Sequence, residues 1–241
     1  MGSPCYRRVT LVKGSHVEFA PYAISAISNP PTEEETLQYK QLRLSGLRTQ
    51  PQFFGSNFER EAAFTDDAWK ARLSASGKAT FISSLTRKGS TREHANGVVD
   101  TLLERESGSG EQWVGTVTVL GPTFLEELYR NEELFELRNR TLYTIVGVWV
   151  EPAFRRKGMA GGLMQAALSW VREDTQHGRG DTPKVIVLRV HRSNAVAREV
   201  YLRNGFQDLA ESVRNGDPND EVWMAHDVDP SLRDAHPTGD A

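Results

Sequence analysis

The run Arg155-Arg156-Lys157-Gly158-Met159-Ala160-Gly161 sets three cationic side chains ahead of small residues at the start of an apolar-striped segment. If a buried strand ends at Pro152 and a helix opens near residue 158, the amides from about 156 to 161 stand unpaired at the positive end of that helix. Such an end holds anions. Gly158 lets the backbone come close, and Ala160 and Gly161 keep side chains out of the way. No G-K-[ST] and no G-x-G-x-x-G accompanies the turn, so neither the Walker nor the Rossmann nucleotide pattern fits. A second pair, Asn194 and Tyr201, is seven residues apart. On a helix this is two turns, so both side chains leave one face, with Ala197 between them leaving room. Asn194 can cap that helix and still present an amide to a ligand. Each feature has a plainer use: a basic run is commonly solvated surface, and a helical Tyr is commonly a packed aromatic.

These residues need a scaffold. Leu142–Val150 is a nearly unbroken apolar strand, which predicts burial on both faces and a central place in a sheet. A helix over about 158–177 follows, with Ala160, Leu163, Met164, Ala167, Leu168 and Val171 on one stripe. Then come a strand (Lys184–Val190), a helix (about 195–204) closed by Asn204-Gly205, and strands near Phe206–Val213 and Glu221–His226. Upstream, Thr32 before Glu33, Glu34 and Glu35 predicts a helix to about 49, with Leu37, Leu42, Leu44 and Leu47 as its apolar face. Asp66 and Asp67 head a second helical stretch through Trp69 to Ser74. Strands are expected at Thr80–Thr86 and Trp113–Leu120, and a first strand at Val9–Val12 or Val17–Ala20. Phe124–Arg138, acidic with leucines and aromatics at helical spacing, predicts an inserted helix, and Lys88–Gln112 an exposed loop. Strands alternating with helices give a mixed α/β class. The expected organisation is a single domain over residues 1–228, with insertions at about 88–112 and 121–139, and a loose tail over 229–241.

Composition removes other classes. A single cysteine, Cys5, excludes an intrachain disulfide and a cysteine-based zinc site, and no H-E-x-x-H is present, so no metal is expected. Cys5 has no flanking base and reads as incidental rather than as a covalent nucleophile. The 29 Lys and Arg against 32 Asp and Glu leave a net charge of −3, with no bulk field for nucleic acid or a membrane surface. No apolar run is long enough for a span, no secretory signal opens the chain, and Tyr6 breaks a myristoylation pattern after Gly2, so a cytoplasmic location is expected.

The sequence resembles a known family at both motifs. Val148-x-Val150-x-Pro152-x-Phe154-Arg155-x-x-Gly158-x-Ala160 before an amphipathic helix is similar to the acyl-coenzyme A signature of the GNAT N-acetyltransferase superfamily, (R/Q)-x-x-G-x-(G/A). Asn194, Ala197, Tyr201, Gly205 and Phe206 match the same family's N-x-x-A-x-x-x-Y-x-x-x-G-F. The resemblance spans about residues 142–210, and Phe53-Phe54-Gly55-Ser56 is a weaker match to the acceptor-side region. It implies a central, mostly antiparallel twisted sheet flanked by helices on both faces. It also implies an acetyl-CoA-dependent N-acetyltransferase that moves the acetyl group directly from thioester to an amine acceptor, without a covalent acyl-enzyme. The carried-over roles place acetyl-CoA on the backbone of Val148, Trp149 and Val150 and on Arg155, Arg156, Lys157, Gly158, Met159, Ala160 and Gly161. Asn194 falls on the pantetheine arm, and Tyr201 donates to the departing sulfur.

One position departs from many relatives. Five residues before Asn194, where an acidic base is frequent, this chain has Arg189. Candidate bases are then His191, or a water held by Glu59 or Glu61; Arg189 itself could bind an acidic acceptor or a coenzyme phosphate, or simply form a salt bridge on the sheet. That departure supports an alternative reading, a non-catalytic acyl-CoA-binding sensor or structural module. Nucleic-acid binding through Arg155–Lys157 ranks last. The acceptor, the acyl-chain preference and the oligomeric state stay open.

Overall fold

Thr32 starts the first long helix, α1 (Glu33–Thr49), through a reciprocal cap: its hydroxyl accepts from the Glu35 amide at 3.1 Å, and the Glu35 carboxylate accepts from the Thr32 amide at 2.8 Å. The structure is a computed structural model and describes residues 22–86, 92–93, 99–100, 111–126, 132–175, 182–209 and 220–228. The buried face of α1 includes Tyr39, Leu42, Arg43, Gly46 and Leu47, whereas Leu37 is 53% exposed. Gly46 explains the shift from the leucine pattern. A Cβ there would lie 3.2 Å from the Trp149 and Phe54 rings, so the helix is seated against the sheet at that point. Two short helices follow, α2 (Phe58–Ala62) capped by Asn57 and α3 (Asp66–Ser74) capped by Thr65.

The strands are β1 (Tyr22–Ala26), β2 (Lys78–Thr86), β3 (Arg92–Glu93), β4 (Val99–Asp100), β5 (Glu111–Leu120), β6 (Thr141–Val150), β7 (Lys184–His191), β8 (Gln207–Asp208) and β9 (Glu221–Asp227). Seven form one sheet in the order β1-β2-β5-β6-β7-β9-β8, and β3 pairs with β4 in a separate ribbon. Every neighbouring pair in the large sheet is antiparallel except β6 and β7. Those two are joined by α4 (Met159–Glu173), and α5 (Ala195–Arg203) follows β7. A mixed sheet with β6 in the middle is the expected class.

Alternation along β6 divides the core. Tyr143 and Ile145 join Leu163, Met164 and Leu168 of α4 and Phe206 on one side. Leu142 faces the other, with Val185, Val187 and Trp223. Leu125, Leu134 and Leu137 cover that second cluster, and this corrects the helix expected over 124–138. The described residues there make 3-10 turns at Pro122–Phe124 and Glu132–Leu137 instead of an α-helix, Pro122 itself opening the first of them. The α4 stripe is buried as its periodicity implies, although the helix stops at Glu173 rather than 177. The first strand expected at Val9–Val12 or Val17–Ala20 lies outside the described residues, as do most of the 88–112 loop, the strand residues expected after Leu209 and the tail from 229.

The sheet splits at its centre. β6 and β7 pair only from Thr141↔Lys184 to Thr144↔Val187. Beyond Thr144, β7 stays with β9 through His191↔Glu221, while β6 stays with β5 as far as Val150↔Gly115. The divergence coincides with a bulge. Three residue steps of β6, Val146 to Trp149, face two of β5, Thr116 to Thr118, and Gly147 within the bulge takes φ +65°. Val146 is consequently 40% exposed, and Gly147 and Val148 half-buried, in a strand buried on either side of them.

Candidate active site

The split opens a cleft of about 1970 Å³ that runs from the start of α4, between β6 and β7, to α1, α3 and β2. All seven positions from Arg155 to Gly161 except Lys157 line it, together with Val148, Trp149, Val150, Asn194 and Tyr201. The sequence motifs therefore meet in one place.

At its α4 end the cleft is made of backbone. Arg156 takes φ +63° and Gly158, which caps α4, takes φ +82°. Left-handed residues in such turns direct successive amides to one side and form an anion-binding nest, and a non-glycine residue held there pays for it in strain. The first amide with an acceptor is that of Gly162, which donates to the Gly158 carbonyl at 3.0 Å. None of the amides from Arg156 to Gly161 has an acceptor among the described residues. Six donors at a helix start, with no residue in the way at Gly161, where a Cβ would meet nothing within 4 Å, suit a doubly charged phosphate group.

The side chains of this turn divide differently from their charges. Arg155 turns inward: its Nε donates to the Val150 carbonyl at 2.8 Å and its Nη2 to Gln50 Oε1 at 2.8 Å, with the guanidinium stacked over Trp149 at 4.8 Å. It staples the end of β6 to the end of α1, so its side chain is committed to the protein rather than offered to a phosphate. Arg156 is exposed, and Lys157 lies over Phe154 with Nζ 5.4 Å from the ring centre.

At the α5 end, Asn194 Oδ1 accepts from the Ala197 amide at 3.2 Å, so the capping role is filled by its oxygen and the side-chain NH2 remains for a ligand. Tyr201 lies one face along, buried against Phe206 with ring centres 6.1 Å apart. Its hydroxyl has no protein partner among the described residues, and the residue lines the cleft. Burial pushes the phenol up, well above its ordinary value, so it stays protonated at any working pH. Gly205 ends α5 at φ +83° as its place after Asn204 predicts.

The opposite wall revises the candidate bases. Glu61 is fully buried and holds Arg43 through two bonds, Nε to Oε2 at 2.9 Å and Nη2 to Oε1 at 2.8 Å, with Arg72 Nη1 3.6 Å away. Burial alone would push this carboxyl up, but the hydrogen bonds and charge of Arg43, the charge of Arg72 and a bond from Ser56 outweigh it and hold it below the ordinary range. A carboxylate so occupied cannot collect a proton, and Glu59 is exposed and off the cleft wall. His191 does border the cleft, its Nδ1 2.8 Å from Ser193 Oγ and 3.8 Å from Asp220. Arg189 is neutralised by a residue the sequence did not single out: Glu221, whose Oε2 is 2.7 Å from Arg189 Nε. Glu221 sits opposite His191 on β9 and also borders the cleft. Only strand register brings it there, thirty-two residues from Arg189 in sequence.

A buried mixed α/β framework thus ends its central strand in a turn of open amides, and the same strand parts from its parallel neighbour beyond Thr144. The chain matches the profile of the acetyltransferase (GNAT) family over residues 85–206, half of its length, and it belongs to that family. Among solved structures, NAA60 of Arabidopsis thaliana, crystallised with a bisubstrate analogue, superposes with a TM-score of 0.50 at 15% identity, covering 86% of this chain and 99% of that one. FeeM, an N-acyl amino acid synthase from uncultured soil microbes, gives 0.51 at 13% identity, with 87% and 92% covered. At these identities the likeness is one of fold. No curated protein sequence matches the chain. Among the described residues, no helix is long and apolar enough to cross a membrane and no three His, Cys, Asp or Glu side chains gather as a metal site.

Proposed function

We propose that this protein transfers an acetyl group from acetyl-CoA directly to an amine. The observation that carries the reading is the row of six acceptor-less amides from Arg156 to Gly161 in the same cleft as an unpartnered, buried phenol. The amides take the pyrophosphate, with Arg156 adding charge from outside. The Asn194 amide and the edge of β6 left open beyond Thr144 take the pantetheine arm, which leads the thioester toward the bulge at Gly147.

The amine must arrive neutral, since an alkyl ammonium near pKa ~10.4 has no lone pair to give. His191, on the cleft wall, takes its proton directly or through water, with Glu221, held by Arg189, opposite it in register. The nitrogen then bonds to the thioester carbonyl carbon, backbone amides on β6 hold the developing oxyanion, and the C–S bond breaks. Tyr201 donates a hydrogen bond or proton to the departing sulfur, and its raised pKa keeps that donor in place.

Tyr201→Phe retains the ring against Phe206 and removes only the donor. Turnover should fall by about 10²–10⁴, the range for a lost general acid, while the acetyl-CoA-induced rise in melting temperature persists. Parental turnover in the variant removes Tyr201 from the chemistry; an acetyl-CoA response without turnover of any amine in the parent returns the protein to the sensor reading.

A further inference from the structure

The wall of the cleft facing α1 and α3 carries positive charge that the described residues do not balance. Seven Arg and Lys side chains border the cleft against two Glu. Arg155 and Arg156 belong to the α4 turn, Arg189 is paired with Glu221, and Arg203 with Glu199 at 2.7 Å. Arg43 spends its guanidinium on both oxygens of Glu61. That leaves Arg72 and Lys78. Arg72 touches Glu61 only at 3.6 Å, through an oxygen Arg43 already holds, and its side chain is 36% exposed. Lys78 donates to the Arg72 carbonyl and has no carboxylate partner among the described residues. Burial, and then the Arg72 charge beside it, bring the Lys78 ammonium down to about 8. Two like charges held together in a half-buried cleft oppose each other, and an anion placed between them removes the opposition.

Register sets the distance from this pair to the chemistry. Lys78 lies opposite Leu120, and Leu120 opposite Thr144, the last β6 residue before the split. Two strand spacings separate Lys78 from that point, about 10 Å. The surface between is lined by Leu120, Phe124 and Val146; Arg43, whose Nη1 lies beside Gly147, is already paired with Glu61 through Nε and Nη2.

We propose that Arg72 and Lys78 form an anion subsite of the acceptor pocket, and that the accepted amine carries an anionic group, such as a carboxylate, at the far end of an apolar spacer. This rests on the acetyltransferase reading above and narrows its substrate class. The amine enters the split near Gly147, the spacer lies along Leu120 and Val146, and the anion reaches Arg72 and Lys78.

The test is a panel of amines of one length, 6-aminohexanoate, 6-aminohexanamide and 6-aminohexylphosphonate, with 4-aminobutyrate and 8-aminooctanoate to probe the spacer, assayed by coenzyme A release. The carboxylate is expected to exceed the amide in kcat/KM by about tenfold or more, the scale of one charge-assisted contact. Lys78→Met and Arg72→Gln should bring that ratio toward one, chiefly through KM, while an intact acetyl-CoA thermal shift shows each variant to be folded. The phosphonate arm separates a carboxylate preference from a general anion preference. Equal rates for carboxylate and amide overturn the subsite and leave the transferase reading standing. If no amine is turned over, calorimetry of 6-acetamidohexanoate against 6-acetamidohexanamide on the CoA-saturated protein decides the matter: tighter binding of the carboxylate, lost in Lys78→Met, supports the subsite, and equal affinity rejects it. Absence of any acetyl-CoA response in the parent counts instead against the transferase reading.

Discussion

The two walls of the cleft are built by different means. The α4 wall is made from two short runs of sequence, residues 148–161 and 194–201, and its donors are mostly backbone amides. The α1 and α3 wall is assembled from single side chains far apart in the chain: Arg43, Glu61, Arg72 and Lys78, each on a different element. A helix start binds an anion because consecutive residues leave their amides open, so the capacity is local. A charge cluster binds or repels according to which side chains the fold brings together, so its net sign is not local at all.

The sharpest break between the walls lies at Glu61. Glu61→Gln leaves Arg43 buried against a neutral amide, and loss of about 3–5 kcal/mol of stability is expected in urea titrations, with acid making the parent resemble the variant. The sign follows from the depressed carboxyl: its stabilisation is complete above the ordinary carboxylate pKa and is lost as pH falls through the lower folded value. A parent and variant of equal stability at pH 7 would mean the triad is not formed.

On the other wall the decisive residue is Gly161, where added bulk meets only the open cleft. Gly161→Trp should leave the melting temperature of the free protein near that of the parent and weaken acetyl-CoA by at least about a hundredfold, by covering the α4 amides. Gly158→Trp is a poorer probe, since φ +82° and a contact 3.2 Å from the Tyr22 hydroxyl would disturb the fold as well. Retained affinity in Gly161→Trp would move the phosphates elsewhere.

Arg155 and Arg156, adjacent in sequence, should separate by kind of effect. Arg155→Ala removes the bonds to Val150 and Gln50 and is expected to cost about 1.5–3 kcal/mol of stability with little salt dependence. Arg156→Ala should spare stability and lower acetyl-CoA affinity a few-fold, more at low salt than at high, which isothermal titration at two ionic strengths will read. The same salt-dependent pattern in both would return Arg155 to the phosphates.

The smallest effect concerns Lys78. Its ammonium is harder to keep charged folded than unfolded, so over the window from about 8 to 10.5 the unfolded chain binds more protons and stability rises with pH. Lys78→Met should therefore be slightly more stable than the parent at pH 7, and the difference should vanish by pH 10.5. A variant destabilised equally at both values would show that the bond to Arg72 outweighs the charge.

Much of this was legible beforehand, and for identifiable reasons. The Thr32–Glu35 cap, the α4 stripe and the two-turn spacing of Asn194 and Tyr201 depend on residues within a few positions of one another, and helices form from such relations. The expected helix over 124–138 failed because its leucine spacing also serves a segment laid over Leu142, Val185 and Trp223, and the apolar face of the sheet, not helical periodicity, decided which. Leu37 looked like core and is surface, because Gly46 brings a different face of α1 onto Trp149.

By itself the sequence determined α1, the central strand β6, the strands and helices from α4 to β9, and the place of the 155–161 turn and of Tyr201 on them, since each follows from short-range pattern. Only the tertiary structure decided where β6 and β7 part, that Arg155 ties strand to helix, that Glu221 answers Arg189, and that Glu61 is spent on Arg43 while Arg72 reaches it only at 3.6 Å and Lys78 has no carboxylate partner among the described residues. Those are pairings between residues tens of positions apart, and composition and spacing carry no record of which charge meets which once the strands come into register.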